Sequence, residues 1–231
     1  MTKSVSNKTS AGIEGYFKRI FRLMTGAVAV TALTTFITLV SGLWTALITQ
    51  TGLSATYYII VFSGLALSIW AQARAFSMRP ITAMWMLFLY SVLMGIALTP
   101  LIMVSSPMSI LLALVLAAVM FGCMTLFGSK TVKDLSFLGT FLFLGMIGLI
   151  LVGVVSMFIP LGATFNNVVC LIGVLIFALF AAYDMQTLKN AYRMLGDDSQ
   201  KDQLAVLGAL HMYISFVAMF EYILSLLNNR N

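Results

Sequence analysis

Three long stretches of this chain carry no charged side chain at all: residues 23–73, 80–129 and 135–183. They hold 51, 50 and 49 residues, and tight clusters of charge separate them. A helix crossing a bilayer needs about 20 apolar residues. Each stretch is therefore too long for one crossing and fits two crossings joined by a turn. The middles of the stretches hold the helix-breaking and polar residues such turns need. These are Gln50-Thr51-Gly52, Ser105-Ser106-Pro107, and Pro160-Leu161-Gly162 on to Asn167. A last apolar segment, about 204–227, adds one more crossing. The expectation is an all-α polytopic membrane protein with seven transmembrane helices near 23–47, 54–73, 80–103, 108–128, 135–159, 167–188 and 204–227. Residues 1–22 form a cytoplasmic N-terminal segment, disordered up to about 15 because they are rich in Ser, Thr, Lys and Gly. Residues 228–231 form an external tail.

Composition agrees with this reading. The chain is 61% hydrophobic and 9% charged, whereas soluble domains carry about 25% charged residues. A soluble enzyme, a disordered chain and a nucleic-acid binder are excluded as expectations. The net charge of +6 follows from topology. With the N-terminus in the cytoplasm, that side receives Lys3, Lys8, Lys18, Arg19, Arg22, Arg74, Arg79, Lys130, Lys133, Lys189, Arg193 and Lys201. Only Arg230, of the 13 basic residues, falls outside. Basic residues stay on the cytoplasmic side of membrane proteins, so the C-terminus is expected to be external. Cys123 and Cys170 lie in apolar runs and read as small hydrophobes. No sequence repeat of solenoid length is evident.

Polar residues inside the apolar runs are the functional candidates, because a carboxylate at mid-bilayer costs about 2.5–3.5 kcal/mol. Asp184 lies five residues before Lys189, roughly 7 Å inside the cytoplasmic end of the sixth helix. It reads either as an interfacial residue or as part of a site, with Tyr183 and Gln186 adding polar groups. Glu221 lies in the last helix and either lines a cavity or reaches the outer interface. His211 and Ser215 are four residues apart and share a helix face; a lone His in that position is more commonly a packing residue than a ligand. Arg74 ends the second helix at the depth of Asp184. It either pairs with Asp184, offsetting part of the cost of both charges, or faces lipid headgroups. One histidine gives no multi-His metal site. There is no phosphate loop of the G-x-x-x-x-G-K-[ST] kind and no G-x-S-x-G elbow. No enzyme and no resident cofactor is expected.

Several segments resemble the Bax inhibitor-1 family of seven-helix membrane proteins. They are Met94-Gly95-Ile96-Ala97-Leu98-Thr99-Pro100, Phe127-Gly128-Ser129-Lys130 with Lys133-Asp134-Leu135-Ser136-Phe137-Leu138-Gly139, and Gly208-Ala209-Leu210-His211-Met212-Tyr213-Ile214-Ser215-Phe216. The most specific is the apolar run from Gly173 ending in Tyr183-Asp184-Met185-Gln186, similar to the family's Tyr-Asp-x-Gln. The resemblance runs from about Lys18 to the end. It implies six helices surrounding the last, and a calcium leak gated by pH through two aspartates near the cytoplasmic end. It also implies an arginine of the second helix that latches the closed form. Asp184 matches the first aspartate and Arg74 best matches the arginine, but Ser215 stands where the second aspartate would be. An acidic residue that some members carry in the second helix is missing from 54–73. Without a second carboxylate, the repulsion that lifts one pKa into a useful range is absent, so pH gating is expected to be weakened. Calcium takes 6–8 oxygens, so Asp184 is expected to be only a weak, transient Ca2+ contact. The resemblance also leaves open a non-transporting modulator of a membrane-bound AAA protease; a proton-coupled transporter is a third reading. The expected location is a bacterial-type inner membrane.

Overall fold

The computed structural model describes residues 2–49, 52–73, 79–131, 133–156, 159, 162–195 and 198–229, without the side chains of 2–11, 71–73 and 198–199. Seven α-helices run through these residues: α1 Thr2–Val40, α2 Ala55–Ala73, α3 Pro80–Met103, α4 Pro107–Lys130, α5 Ser136–Ser156, α6 Ala163–Met194 and α7 Asp198–Asn228. Six are long and apolar enough to cross a membrane. The apolar part of α2 that is described, Ala55–Trp70, has 16 residues and rises about 24 Å. The chain is an all-α, multi-pass membrane protein.

Several element ends differ from expectation, each for a local reason. The first helix begins at Thr2, so residues 2–15 are helical where disorder was expected. It also stops at Val40 rather than near 47. Gly42 adopts φ 73°, a left-handed conformation that ends the helix. A short 3-10 turn, Leu43–Ala46, follows. Beyond it a two-stranded hairpin, β1 Ile48–Thr49 and β2 Gly52–Leu53, pairs Ile48 with Leu53 and Thr49 with Gly52. At the other end of the chain, α6 runs on to Met194 and α7 starts at Asp198, beyond the apolar limits at 188 and 204. Hydropathy marks where a helix leaves the apolar slab, and these two helices continue past that point.

Local chemistry sets the cleaner boundaries. Ser106 caps α4: its side chain accepts from the Ser109 N–H at 3.0 Å, with Pro107 in the first turn. The Asp134 carboxylate accepts from the Ser136 N–H at 2.9 Å and from its hydroxyl at 2.6 Å, just before α5. Pro100 inside α3 has no N–H to give the Ile96 carbonyl.

The chain divides into two compact units. The first contains 1–100 and 189–213, the second 101–188 and 214–231. In the first, Thr35 donates to the Gly95 carbonyl at 2.7 Å, and the Thr31 hydroxyl lies 3.1 Å from the Ser91 carbonyl. Both pairs are separated by 60 residues, so α1 and α3 run parallel. The helices come close because Gly95 has no side chain: a Cβ there would lie 2.7 Å from the Thr31 carbonyl oxygen. The Thr31 hydroxyl also lies 2.6 Å from the Tyr213 hydroxyl of α7. Tyr90 stands edge-on to the Tyr213 ring. In the second unit, bare close approaches dominate. A Cβ on Gly128 of α4 would run into the Ala182 backbone carbonyl of α6. Gly145 of α5 meets Ile176, and Gly173 of α6 meets the Tyr222 ring. Of the six membrane-length helices, the apolar window of α7 is the most buried (83%) and that of α5 the least (11%).

Candidate functional site

The α6–α7 contact sets the geometry around Asp184. Phe177 of α6 stacks on Tyr222 of α7 with ring centroids 6.0 Å apart. Farther along, Asn229 donates to the Asn167 side-chain oxygen at 2.9 Å. Numbers rise on one helix as they fall on the other, so the helices are antiparallel. Seven residues on from Phe177 is Asp184, and seven back from Tyr222 is Ser215. A seven-residue step returns a helix to nearly the same face. The register therefore sets Asp184 on the α6 face that meets α7 and Ser215 at the matching level of α7. Both residues are buried.

The opposite face of α6 is fastened by Gln186. Its side-chain oxygen accepts from the Leu135 N–H at 2.8 Å, and its amide nitrogen donates to the Lys133 carbonyl at 2.8 Å. One side chain thus satisfies a backbone donor and an acceptor of the α4–α5 connection, and Leu135 is buried beneath it. Tyr183 lies against α5, where a Cβ on Gly139 would be 2.8 Å from its hydroxyl. Residues 182, 183 and 186 are thus engaged by α4, α5 and the loop between them, while Asp184 is left to the α7 side. The carboxylate lies ten residues before the end of α6 at Met194, about 15 Å, so it belongs to the helix body rather than to a frayed end.

The other candidates are dispersed. Glu221 is part-buried on α7, six residues beyond Ser215 and so about 9 Å farther along the axis. His211 is part-buried one turn before Ser215 and belongs to the first unit. Arg74 and its expected pairing with Asp184 fall outside the described residues. No group of three or more His, Cys, Asp or Glu able to hold a metal occurs among the described residues. Two groups escaped sequence reasoning as site-forming residues: Gln186 as a backbone clamp, and the Thr31–Tyr213 bond. The second had a signal. Thr31, Thr35 and Thr38 recur at helical spacing on α1, and Ser91, Gly95 and Thr99 do so on α3.

An all-α multi-pass membrane protein with one buried carboxylate on its sixth helix is the class these observations define. The family model described as "Inhibitor of apoptosis-promoting Bax1" matches residues 13–231. The inner membrane protein YbhL of Escherichia coli strain K12 is 31% identical over 222 residues, 95% of this chain and 94% of that protein. An uncharacterized protein of Rickettsia prowazekii is 28% identical over 231 residues, covering 100% of this chain and 96% of its own. An uncharacterized membrane protein of Streptococcus pyogenes serotype M1 is 27% identical over 219 residues, 94% of this chain and 93% of its own. The chain belongs to the Bax inhibitor-1 family.

Proposed function

We propose that this protein is a calcium-permeable leak of a bacterial-type inner membrane, with its N-terminus in the cytoplasm and its C-terminus outside. The observation that carries the reading is the buried Asp184 carboxylate on the α6 face that meets α7, level with Ser215. Burying a carboxylate within a spanning helix is costly, and such residues mark ion pathways. With a hydroxyl rather than a second carboxylate opposite it, the site offers too few oxygens for tight calcium binding. It suits passage better than storage. The orientation rests on the distribution of basic residues. The membrane assignment draws on the inner-membrane relative.

Calcium flux into liposomes holding the purified full chain tests the proposal. Wild type conducts without any partner, and Asp184→Asn changes the flux severalfold. Between about pH 6 and 8, where a shifted carboxylate or a histidine titrates, wild-type flux is nearly flat. Ser215→Asp steepens the profile, and adding Asp184→Asn flattens it again. Absence of flux from folded wild-type protein overturns the leak and favours a modulator of another membrane protein, such as a protease. A steep wild-type profile that survives Asp184→Asn moves the sensor to His211 or Glu221.

A further inference from the structure

At the end of the second unit remote from Asp184, α4, α6 and α7 enclose an open groove of about 610 Å3. Its walls are apolar: Leu116 and Met120 from α4, Val168 and Leu171 from α6, Ile223 and Leu226 from α7. Thr164 and Asn167, the polar lining residues, stand together in the first turns of α6. There the Asn229 amide is bonded to Asn167, and Asn228 donates to the Ser105 hydroxyl at 2.7 Å. The groove thus has a polar rim at the helix ends and an apolar trough running inward. Along α6 it extends from Thr164 to Leu175, about 16 Å. Half of the roughly 30 Å hydrocarbon core of a bilayer is about 15 Å.

We infer that this groove seats one acyl chain of a membrane glycerophospholipid, with the ester and headgroup at the Thr164–Asn167 rim. Three observations select this occupant. The trough lies in spanning segments, so the medium at its open side is lipid. Val168 and Leu171 are each about half exposed (51% and 56%), so its α6 wall is uncovered within the chain itself. Its length and polarity run match one leaflet: amides and a hydroxyl at the interface, aliphatic carbon to the midplane. A lipid lying in the trough contacts three helices at once, and close van der Waals packing is what holds partners together inside a bilayer. The inference depends on membrane insertion and not on the leak, so a chain without calcium flux leaves it intact.

Lipid retention by the full chain tests it. Protein in detergent is supplied with palmitoyl-oleoyl phosphatidylethanolamine and phosphatidylglycerol, washed with lipid-free detergent, and weighed by native mass spectrometry. Wild type keeps one lipid per chain. Leu171→Trp, which fills the trough, lowers retention about tenfold at limiting lipid, the consequence of losing one apolar side chain's worth of contact. Leu144→Trp, on the exposed face of α5 and outside the groove, leaves retention unchanged. Val168→Trp is the second filling variant, and thermal unfolding confirms that each variant is folded. Equal retention by wild type and the filled variants overturns the inference, as does no retention by wild type. A wild-type dimer that dissociates on filling the groove also overturns it, by making a second copy the occupant.

Discussion

The two units hold their helices together by different means. In the first, a close helix contact is also fastened. Gly95 lets α1 and α3 approach, and the Thr31 and Thr35 hydroxyls then bond across the gap to the Ser91 and Gly95 carbonyls. The Thr31 hydroxyl lies within 3.1 Å of the Ala27 and Ser91 carbonyls and 2.6 Å from the Tyr213 hydroxyl, so it joins α1, α3 and α7 at one point. Near the helix ends, Arg19 pairs with Asp202, Tyr16 lies 4.7 Å from Tyr192, and Lys201 sits over the Tyr192 ring. In the second unit, α4, α5 and α7 meet α6 through glycines and rings: Gly128 on Ala182, Gly145 on Ile176, and Tyr222 on Gly173 and Phe177. Side-chain hydrogen bonds here run from Gln186 to the α4–α5 loop, and at the far end of α7 from Asn228 to Ser105 and from Asn229 to Asn167. Helices in lipid associate by packing and by hydrogen bonds, with little hydrophobic drive. Sliding α1 along α3 breaks the bonds from Thr31 and Thr35 to the α3 carbonyls.

The comparison breaks most readily at Gly128. A Cβ there meets backbone, which cannot rotate away. Gly128→Ala forces α4 off α6 and is expected to cost about 3 kcal/mol or more, the upper range for overpacking. Gly148→Ala and Gly153→Ala point into open space inside α5 and leave stability unchanged or raise it by up to about 1 kcal/mol. Thermal unfolding in a mild detergent ranks the three. If Gly128→Ala unfolds with the controls, the bare contact is not what holds α4 to α6.

The next largest effect belongs to Gln186. Gln186→Leu strands the buried Leu135 N–H and the Lys133 carbonyl at once. Leaving a buried polar group unsatisfied costs about 1–3 kcal/mol. Amide exchange at Leu135 accelerates greatly in the variant, while amides on the α1–α3 contact keep their protection. Equal acceleration in both places would show that the units do not act separately.

What the sequence made legible follows from these same contacts. The charge-free runs and their central breakers mark how often the chain crosses, because a long apolar run has few ways to exist in water. They do not reveal that α1 stops at Val40, since Leu43, Trp44 and Ala46 are as apolar as the helix before them and the decisive event is the left-handed Gly42. Asp184 stood out because a carboxylate in an apolar run is conspicuous. Its partner level on α7, implied at Ser215 by the family resemblance, follows in the structure from the Phe177–Tyr222 stack, which no spacing in one sequence discloses. Gln186 was passed over as one more polar neighbour because its bonds run to backbone, and backbone has no sequence signature.

Fastening in the first unit is expected to be modest per bond. Thr31→Val and Tyr213→Phe each remove one side of their contact, and a double-mutant cycle reads the coupling. Such bonds inside bilayers average about 0.6 kcal/mol. A coupling near zero would leave the α1–α3 contact to the Thr31–Ser91 and Thr35–Gly95 bonds, without help from α7.

The smallest effect lies at the start of α5. The Ser136 hydroxyl, and then the Ser136 N–H, hold the exposed Asp134 carboxyl below its ordinary pKa. A carboxyl whose folded pKa is depressed favours the folded form above its unfolded pKa, and that contribution is lost as pH falls through the folded value. Acidification therefore frays the first turn of α5 before it disturbs the rest. Ser136→Ala removes the hydroxyl and keeps the N–H, so the Asp134 midpoint, followed by the carbon-13 shift of its carboxyl, moves part of the way back toward the ordinary aspartate value. Asp134 is fully exposed, so overall unfolding shifts little. A midpoint unmoved by Ser136→Ala would show that the hydroxyl bond is not formed in solution, and that the second unit's loop is held by Gln186 without help from this turn.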